Sequence, residues 1–185
     1  RNLDIKKQII EIKKVISKKL PVGAAVGAGS AEFKRAQALL KQNITMIVVD
    51  TAHGHTKKVA EIIKKIKKIK SKNTALCAGN IATPEAAKFL ANLGVDVIKV
   101  GIGPGSICTT RLVAGIGMPQ LSAILAVKKG LKNKNIKIIA DGGIKFSGDI
   151  PKALAAGADA VMIGSLFAGT DEAPGKIIKK NGRFY

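Results

Sequence analysis

The sequence predicts an α/β protein built as a (β/α)8 barrel, of which about six β/α units fall within the 185 residues. Three observations predict this fold: short apolar runs recur along the chain, a helical pattern follows each run, and polar or glycine residues stand at the ends of the runs. We interpret the runs as buried parallel strands at residues 22–26, 46–49, 75–78, 97–100, 136–140 and 160–163.

Helical periodicity separates the predicted strands. The predicted helices cover residues 32–40, 56–68, 83–93, 120–129 and 149–156. Thr83 precedes Pro84, as an N-cap precedes the first helical position, and Pro151 fits the same logic in a later helix. Gly94 and Gly157 each stand between a helix and a strand, where a glycine commonly ends the helix. The units therefore look like copies of one design.

The residues at the strand ends favour a barrel over a doubly wound open sheet. In both folds, ligands bind beyond the carboxyl ends of the parallel strands. Polar and glycine residues follow five of the predicted strands, at Asp50, at Gly79 with Asn80, at 101–105, at 141–143 and at Gly164 with Ser165. An open sheet concentrates its ligand residues near one switch point, whereas a barrel gathers many strand ends around one mouth. A complete barrel typically needs about 250 residues, so we expect this chain to be part of one.

Two segments are predicted, with no linker between them. Residues 1–20 are rich in lysine and amphipathic, and no strand precedes residue 22, so we expect a helical segment at the barrel boundary. Residues 21–185 are predicted to form the partial barrel. At its end, the segment GKIIKKNGRFY has the pattern of a starting hairpin.

Composition restricts the class of protein. The hydrophobic fraction of 46% suffices for a sizeable core, and no run approaches the roughly 20 apolar residues of a membrane span. The first residues lack a signal-peptide pattern, so we predict a cytoplasmic protein. The net charge of +20 comes mostly from lysines on helical faces, and aromatic residues make up only 3% of the chain. Nucleic-acid binding is therefore disfavoured, because stacking platforms and known motifs are missing.

The segment GIGPGSICTTR, residues 101–111, is the strongest chemical signal. It directly follows a predicted strand, and its glycines let the backbone approach a ligand or cation closely. Cys108 lies in this segment beside Thr110, and a thiol becomes a useful nucleophile when nearby donors or cations stabilise its thiolate. From the loop alone, a catalytic nucleophile and a small buried cysteine both stay open. Cys77, inside the apolar run TALCAG, is predicted to be a packing residue.

Later strand ends provide the residue types of a nucleotide site. Asp141 precedes Gly142 and Gly143, and a carboxylate at a barrel mouth can accept both hydroxyls of a ribose. Gly164 and Ser165 follow the last predicted strand, where backbone amides commonly bind phosphate. The alternative for each group is an ordinary turn or helix cap.

Another strand end offers a second carboxylate and two histidines. Asp50 could bind a second ribose. His53 and His55 have the spacing of a metal pair, but further ligands are missing from the nearby sequence, so a role in a loop or at a helix start is favoured. The glycines at 101, 103 and 105 do not have the spacing of the dinucleotide-binding fingerprint.

Six motifs follow one another in a specific order: VGAAVG, VVDTAHGH, AGNIAT, VGIGPGSICTTR, GMPQ and IADGGIKFSGDIPKALAAGADAVMIGSLFAGTDEAPG. This order resembles the IMP dehydrogenase family over most of the chain, from about residue 22 to residue 185. The nearest relative, GMP reductase, is similar through the cysteine loop but usually differs from GSLFAGTDEAPG. The resemblance implies NAD-dependent oxidation of IMP to XMP through a thioimidate on Cys108, the committed step of guanine nucleotide synthesis.

The resemblance also implies roles for individual residues. Cys108 and Thr110 would be catalytic. IMP would be held by Ser106, Asp141, Gly142, Gly143, Gly164 and Ser165. NAD would face Asp50, Asn80, Gly101, Ile102 and Gly103. A potassium ion would bind the backbone carbonyls of Gly103, Gly105 and Cys108.

Further parts and partners follow from the same resemblance. Family members begin the barrel with two more strands, commonly insert a pair of CBS modules, and continue into a flap whose arginine activates water. None of these is visible here, so we expect an excerpt. The family is usually tetrameric, and neighbouring subunits complete the cation site. Two alternatives remain: a GMP reductase, and a non-catalytic module that binds nucleotides or nucleic acid.

Overall fold

The computed structural model describes residues 3–132 and 134–173, together with the backbone of residues 179–180 and 183–184. Helices and strands alternate along these residues. The elements are α1 Ile5–Ser17, β1 Gly23–Val26, α2 Ser30–Leu40, β2 Met46–Asp50, α3 Lys57–Ile69, β3 Ala75–Ile81, α4 Pro84–Asn92, β4 Val97–Val100, α5 Thr110–Val113, α6 Gln120–Leu131, β5 Lys137–Asp141, α7 Asp149–Ala155, β6 Ala160–Met162, a 3-10 turn Ser165–Phe167, β7 Lys179–Lys180 and β8 Arg183–Phe184.

In the described part of the chain, six parallel strands form one curled sheet in the order β1 to β6. Each strand therefore pairs with its neighbours in sequence, and the helices between them pack on the sheet's outer face. Sequential order with helical crossovers is the topology of a (β/α)8 barrel rather than that of a doubly wound sheet, whose order reverses at a switch point. The predicted fold is confirmed.

Three strands extend further than the sequence predicted. β2 ends at Asp50, β5 ends at Asp141, and β3 continues through Gly79 and Asn80. The expectation that these residues follow the strands was wrong, because the parallel ladder continues to them: Asp50 pairs with Gly79, and Gly79 pairs with Lys99. Their side chains are therefore held by a sheet and not by loops.

Helix ends agree with the predicted caps. The Thr83 side chain accepts a backbone N–H from the first turn of α4, and Pro84 is the first helical residue. Gly94 and Gly157 adopt φ values of +74° and +110°, which side chains rarely tolerate. Pro151 is the third residue of α7, inside the first turn, where its missing N–H breaks no helical hydrogen bond.

The central strands β2, β3 and β4 are buried on both faces of the sheet, and side chains alternate between these faces. The outer face packs against the helices in the main core. The inner face forms a smaller apolar layer of Val48, Cys77 and Val97, with Ile139 packed against it. Two residues further along the same strands lies a polar layer, which consists of Asp50, Gly79, Lys99 and Asp141.

The repeated helix–Gly–Ala/Val–Asp–strand pattern has a structural role at the amino ends of the strands. Asp96 accepts the backbone N–H of Leu76 at 2.7 Å, and Asp159 accepts that of Ile138 at 2.9 Å. In each case the aspartate lies just before a strand, and its carboxylate accepts a backbone N–H near the start of the strand that comes earlier in the chain. The recurrence therefore reflects one device used twice.

Both terminal segments contain regular secondary structure in the described residues. α1 lies within residues 1–20, and its Gln8 donates to the carbonyl of Ala25 in β1 at 3.0 Å. The backbone of β7 and β8 pairs antiparallel, as the predicted hairpin requires. The division into segments 1–20 and 21–185 remains a prediction.

Candidate active site

A buried lysine organises the polar layer at the carboxyl ends of the strands. The Lys99 ammonium lies 3.0 Å from Oδ1 of Asp50 and also contacts Oδ2 of Asp141, while its side chain is only 7% exposed. Burial lowers the pKa of Lys99, but hydrogen bonds and charge from Asp141 and Asp50 outweigh this effect and raise it. The lysine is therefore charged at neutral pH and joins two carboxylates from different strands.

Sequence reasoning missed Lys99 because it interpreted the segment VIKV as a continuous apolar run. The available signal was a single lysine inside a strand that is otherwise apolar, since lysine is almost never fully buried unless it is paired. The partners could not be identified from the sequence, because they lie on β2 and β5.

Asn80 and two glycines join the neighbouring loops. The Asn80 amide donates to the carbonyl of Gly101 at 2.8 Å and to Oδ2 of Asp141 at 2.9 Å. Gly101 has a φ of +149°, and a Cβ there would clash with the Asp141 carbonyl. A Cβ on Gly142 would lie 3.1 Å from the nitrogen of Gly105. The cysteine loop and the turn after β5 thus approach each other at a distance that requires glycine.

Cys108 lies in the cysteine loop (residues 101–111), half exposed. Its Sγ is 3.3 Å from the Thr110 hydroxyl, and its N–H donates to the Gly105 carbonyl at 3.0 Å. Hydrogen bonds from the Thr110 hydroxyl and backbone, together with the charge of Arg111, lower the pKa of Cys108 below its ordinary value. An accessible thiol with a lowered pKa forms its thiolate more readily than an ordinary cysteine, and this favours a role as a nucleophile.

Cys77 has the opposite environment. It is fully buried in the inner apolar layer, and burial raises the pKa of its thiol to about 12. Its predicted role as a packing residue agrees with this position.

A first cavity of about 320 Å³ lies between the cysteine loop and the ends of β5 and β6. It brings together all six residues that the sequence assigned to the nucleotide: Ser106, Asp141, Gly142, Gly143, Gly164 and Ser165. Hydroxyls, backbone amides and one carboxylate therefore meet in a space that suits a sugar phosphate.

A second cavity of about 520 Å³ adjoins the first, with which it shares Gly105, Asp141, Gly142 and Met162. Its wall includes both proposed catalytic residues, Cys108 and Thr110. All five residues that were assigned to NAD also line it: Asp50, Asn80, Gly101, Ile102 and Gly103. The thiol thus faces a cleft rather than the packed core.

A third, mainly apolar cavity of about 630 Å³ extends beyond Thr110. It shares Ala52, Ile102 and Thr110 with the second cavity, and it is lined by His53 on its other side. The sequence left His53 as a loop residue, and its position could not be found without knowing how the strand ends converge.

The histidines do not form a metal centre in the part of the chain that the structure describes. The ring of His55 packs against Phe89, with centroids 4.5 Å apart. Among the described residues, no three histidine, cysteine, aspartate or glutamate side chains are arranged to hold a metal ion.

The residues that the structure describes contain no helix long and apolar enough to cross a membrane.

Two amide oxygens near the second cavity are buried without a hydrogen-bond partner among the described residues. They belong to Asn80 and to Gln120, whose amide nitrogen donates to the Val100 carbonyl at 2.9 Å and more weakly to that of Asp141. Buried acceptors without partners are costly unless a ligand or water satisfies them. The hydrogen bonding at the carboxyl ends of the strands is therefore incomplete at these two oxygens in the described residues.

Comparisons with known proteins give relatives that are similar over most or all of the chain. The chain is 51% identical over 185 residues to inosine-5'-monophosphate dehydrogenase of Rhodopirellula baltica, covering 100% of this chain and 34% of that protein. It is 52% identical over 183 residues to the enzyme of that name from Borreliella burgdorferi, covering 99% and 45%. It is 56% identical over 162 residues to the enzyme of that name from Methanocaldococcus jannaschii, and this match covers 87% of this chain and 33% of that protein. The chain thus spans less than half of each relative.

A solved structure is similar as well. The crystal structure of a GMP reductase variant from Trypanosoma brucei in complex with guanosine 5'-monophosphate aligns with a TM-score of 0.86 and 48% identity. The alignment covers 89% of this chain and 35% of that one. A family model described as the IMP dehydrogenase / GMP reductase domain matches residues 1–185. This chain therefore belongs to the IMP dehydrogenase / GMP reductase family.

Proposed function

We propose that this chain is part of the catalytic barrel of an IMP dehydrogenase, an oxidoreductase that converts IMP to XMP through a covalent bond to Cys108. One observation supports this most: the Cys108 thiol faces a cavity that shares Asp141 and Gly142 with the cavity of Ser106 and Ser165. A nucleotide that spans both would have its phosphate at the serines, its ribose at Asp141 and its purine near Cys108. The names of the three curated relatives agree with this function.

The nucleotide would be held by complementary groups. The hydroxyls of Ser106 and Ser165, with the backbone amides at Gly143 and Gly164, would donate to the phosphate. In the described residues, both protein bonds to the Asp141 side chain fall on Oδ2, which leaves Oδ1 for a ribose hydroxyl. The carboxylate would thus hold the sugar and fix the distance between the base and the thiol.

The covalent step follows from the ionisation of Cys108. Its thiolate would form a bond to C2 of the hypoxanthine, and the hydrogen on C2 would leave as a hydride, so that a thioimidate remains. Water would then break the carbon–sulfur bond, releasing XMP and restoring the thiol. In the thiol form the Cys108 S–H donates to the Thr110 hydroxyl, and once Cys108 is ionised the Thr110 hydroxyl would assist by hydrogen-bonding the thiolate.

NAD, when bound, would accept the hydride. The polar groups of the second cavity fit a dinucleotide. The Asp50 carboxylate could accept hydrogen bonds from a ribose, and the Asn80 amide oxygen is a buried acceptor without a protein partner among the described residues. Gly101, Ile102 and Gly103 form the adjoining wall, and the third cavity provides an apolar extension.

A potassium ion fits the cysteine loop by its donor type. Backbone carbonyls are suitable ligands for this ion, and the proposal takes those of Gly103, Gly105 and Cys108, which belong to one glycine-rich loop. The Gly105 carbonyl accepts the Cys108 N–H but has a second lone pair.

By analogy with the family, we include a homotetramer in the cytoplasm in this proposal.

The test is turnover of the full-length protein. Incubation with IMP and NAD should produce NADH, and Cys108→Ala should abolish this signal while Cys77→Ala, as the matched control, leaves it largely intact. Mass spectrometry should find a purine adduct on Cys108 only. Turnover that survives Cys108→Ala would exclude the thioimidate mechanism.

A GMP reductase is the second candidate, because the similar solved structure has that name and contains guanosine 5'-monophosphate. This enzyme would consume NADPH with GMP and release ammonia. Assaying both substrate pairs with one preparation distinguishes the two functions: NADH formed from IMP supports the dehydrogenase, whereas NADPH consumed with GMP supports the reductase.

A further inference from the structure

The polar layer contains one ammonium between two carboxylates that line different parts of the mouth. Asp141 lines the first and second cavities, whereas Asp50 lines only the second. Lys99 contacts both carboxylates and, although its side chain is only 7% exposed, contributes to the wall of the second cavity beside them. The two acids would otherwise face each other across a partly desolvated space, where like charges repel strongly.

A glycine on β3 allows β4 to approach closely at the position of this lysine. Gly79 is the member of the polar layer on β3, and an ideal Cβ there would lie 2.7 Å from Cβ of Lys99 and would also clash with the Lys99 carbonyl. A side chain on Gly79 would therefore push β4 and its lysine away. The glycine thus keeps β3 and β4 close together, and this close approach maintains the position of Lys99 beside its two partners.

Lys99 also determines which oxygen of Asp141 faces the cavity. The ammonium and the Asn80 amide both bond Oδ2, and this fixes the rotation of the carboxylate. Loss of the ammonium would leave one neutral donor on Oδ2 and would add repulsion from Asp50. The carboxylate would then lose both its fixed orientation and its nearest positive charge.

We propose that Lys99 is a positioning residue that holds the Asp141 carboxylate for the nucleotide ribose and the Asp50 carboxylate for the dinucleotide ribose. The inference rests on the proposed function and deepens it. Lys99 acts through the two aspartates and does not touch the reacting atoms. A change at Lys99 therefore weakens the binding of both ligands while the chemistry at Cys108 continues.

The test compares Lys99→Met with Lys99→Arg in the full-length enzyme. Methionine keeps much of the length but removes the charge, so the KM values for IMP and for NAD should both rise about 10-fold or more, with kcat changed less. Arginine keeps the charge and should recover part of the loss. Equilibrium dialysis with IMP alone, without turnover, should show the same weakening.

Single-carboxylate variants test whether Lys99 serves two sites. Asp141→Asn should raise mainly the KM for IMP, and Asp50→Asn mainly that for NAD, so only the lysine variant should affect both. Lys137→Met is the matched control, because Lys137 also pairs with an aspartate, at 3.1 Å, but on the exposed opposite end of β5. It should leave both KM values unchanged.

The outcomes separate this inference from the proposed function. A purely structural role of Lys99 would lower kcat through a smaller active fraction without changing KM, and this result would overturn the inference. An affinity for IMP that equilibrium dialysis finds unchanged in the Lys99→Met variant would overturn the inference as well. A wild-type enzyme that neither binds nor oxidises IMP would instead overturn the proposed function. If Lys99→Met fails to fold, Lys99→Gln in the same assays decides between these outcomes.

Discussion

The two ends of the parallel sheet are built on different principles. At the amino ends, Asp96 and Asp159 repeat one device, in which each carboxylate accepts a backbone N–H from the preceding strand. At the carboxyl ends, no single device repeats, and the residue types differ between neighbouring strands. An acid on β2, a glycine and an amide on β3, and a lysine on β4 meet an acid on β5.

The difference teaches where to look for function in a repeated fold. A feature that recurs from unit to unit satisfies a need that every unit shares, which is the joining of strands. A feature that occurs once satisfies a need of the whole barrel, which is the binding of one ligand by many strands. The amide oxygens of Asn80 and Gln120, buried without partners among the described residues, belong to the second class.

The largest effect is expected for a glycine substitution at the carboxyl ends of the strands. The experiment asks whether activity is lost through a steric clash or through backbone strain alone. Gly101→Ala would place a Cβ against the Asp141 carbonyl and displace the cysteine loop, so kcat/KM should fall about 100-fold. Gly115 also has a positive φ, of +63°, but nothing lies within 4 Å of its ideal Cβ. Gly115→Ala therefore controls for strain, and steady-state kinetics of both variants provide the measurement. Equal losses would mean that loop proximity has no special role.

A smaller effect is expected at the opposite end. Asp159→Ala removes the acceptor of the Ile138 N–H, so the free energy of unfolding in urea should fall by about 1–2 kcal/mol while KM values stay unchanged. Alanine at the exposed Asp171 should change stability by less than about 0.5 kcal/mol. A change in KM for Asp159→Ala would contradict the division between the two ends.

The same aspartate predicts a pH dependence. Burial raises the pKa of Asp159, but the Ile138 N–H and the charge of Lys137 outweigh it and lower the pKa below its ordinary value of 3.8. A lowered pKa in the folded state means that the stabilisation is fully present above the unfolded value and is lost as the pH falls through the folded one. The stability difference between wild type and Asp159→Ala should therefore shrink in acid below pH 3.8. A difference that grows in acid would contradict the hydrogen bond.

The smallest effect concerns the thiol at the mouth. Thr110→Val removes the hydroxyl that lowers the pKa of Cys108, so the pH profile of its alkylation by iodoacetamide should shift to higher pH. At neutral pH the rate should fall a few-fold, since less thiolate is present. Thr110→Ser keeps a hydroxyl and should retain most of the wild-type profile. Equal profiles for valine and serine would assign the thiol's acidity to the backbone and Arg111.

Much of the fold was predictable because its signals are local. Buried strands appear as apolar runs, and the Thr83 cap and Gly94 need only neighbouring residues for their recognition. The cysteines were separable for the same reason, since Cys77 lies in an apolar run and Cys108 beside hydroxyls. The assigned roles of the site residues, drawn from the family, remain predictions.

The rest depends on contacts between strands. The position of Lys99 in an apolar run gave no indication that its side chain faces inward, because β4 is buried on both of its faces. Its partners are 49 and 42 residues away along the chain, at Asp50 and Asp141. The extension of β3 through Gly79 and Asn80 likewise follows from pairing with β2 and β4 and not from residue type.

The two-residue step from the apolar inner layer to the polar one has a consequence for insertions and deletions. Because side chains alternate, removing one residue between Val97 and Lys99 would turn the ammonium outward among the aliphatic side chains of the helices. Removing two residues would lower it into the layer of Val48 and Cys77. Chain length within β4 is thus as strictly constrained as its composition, whereas the exposed segment around Gly115 should accept changes of length far more readily.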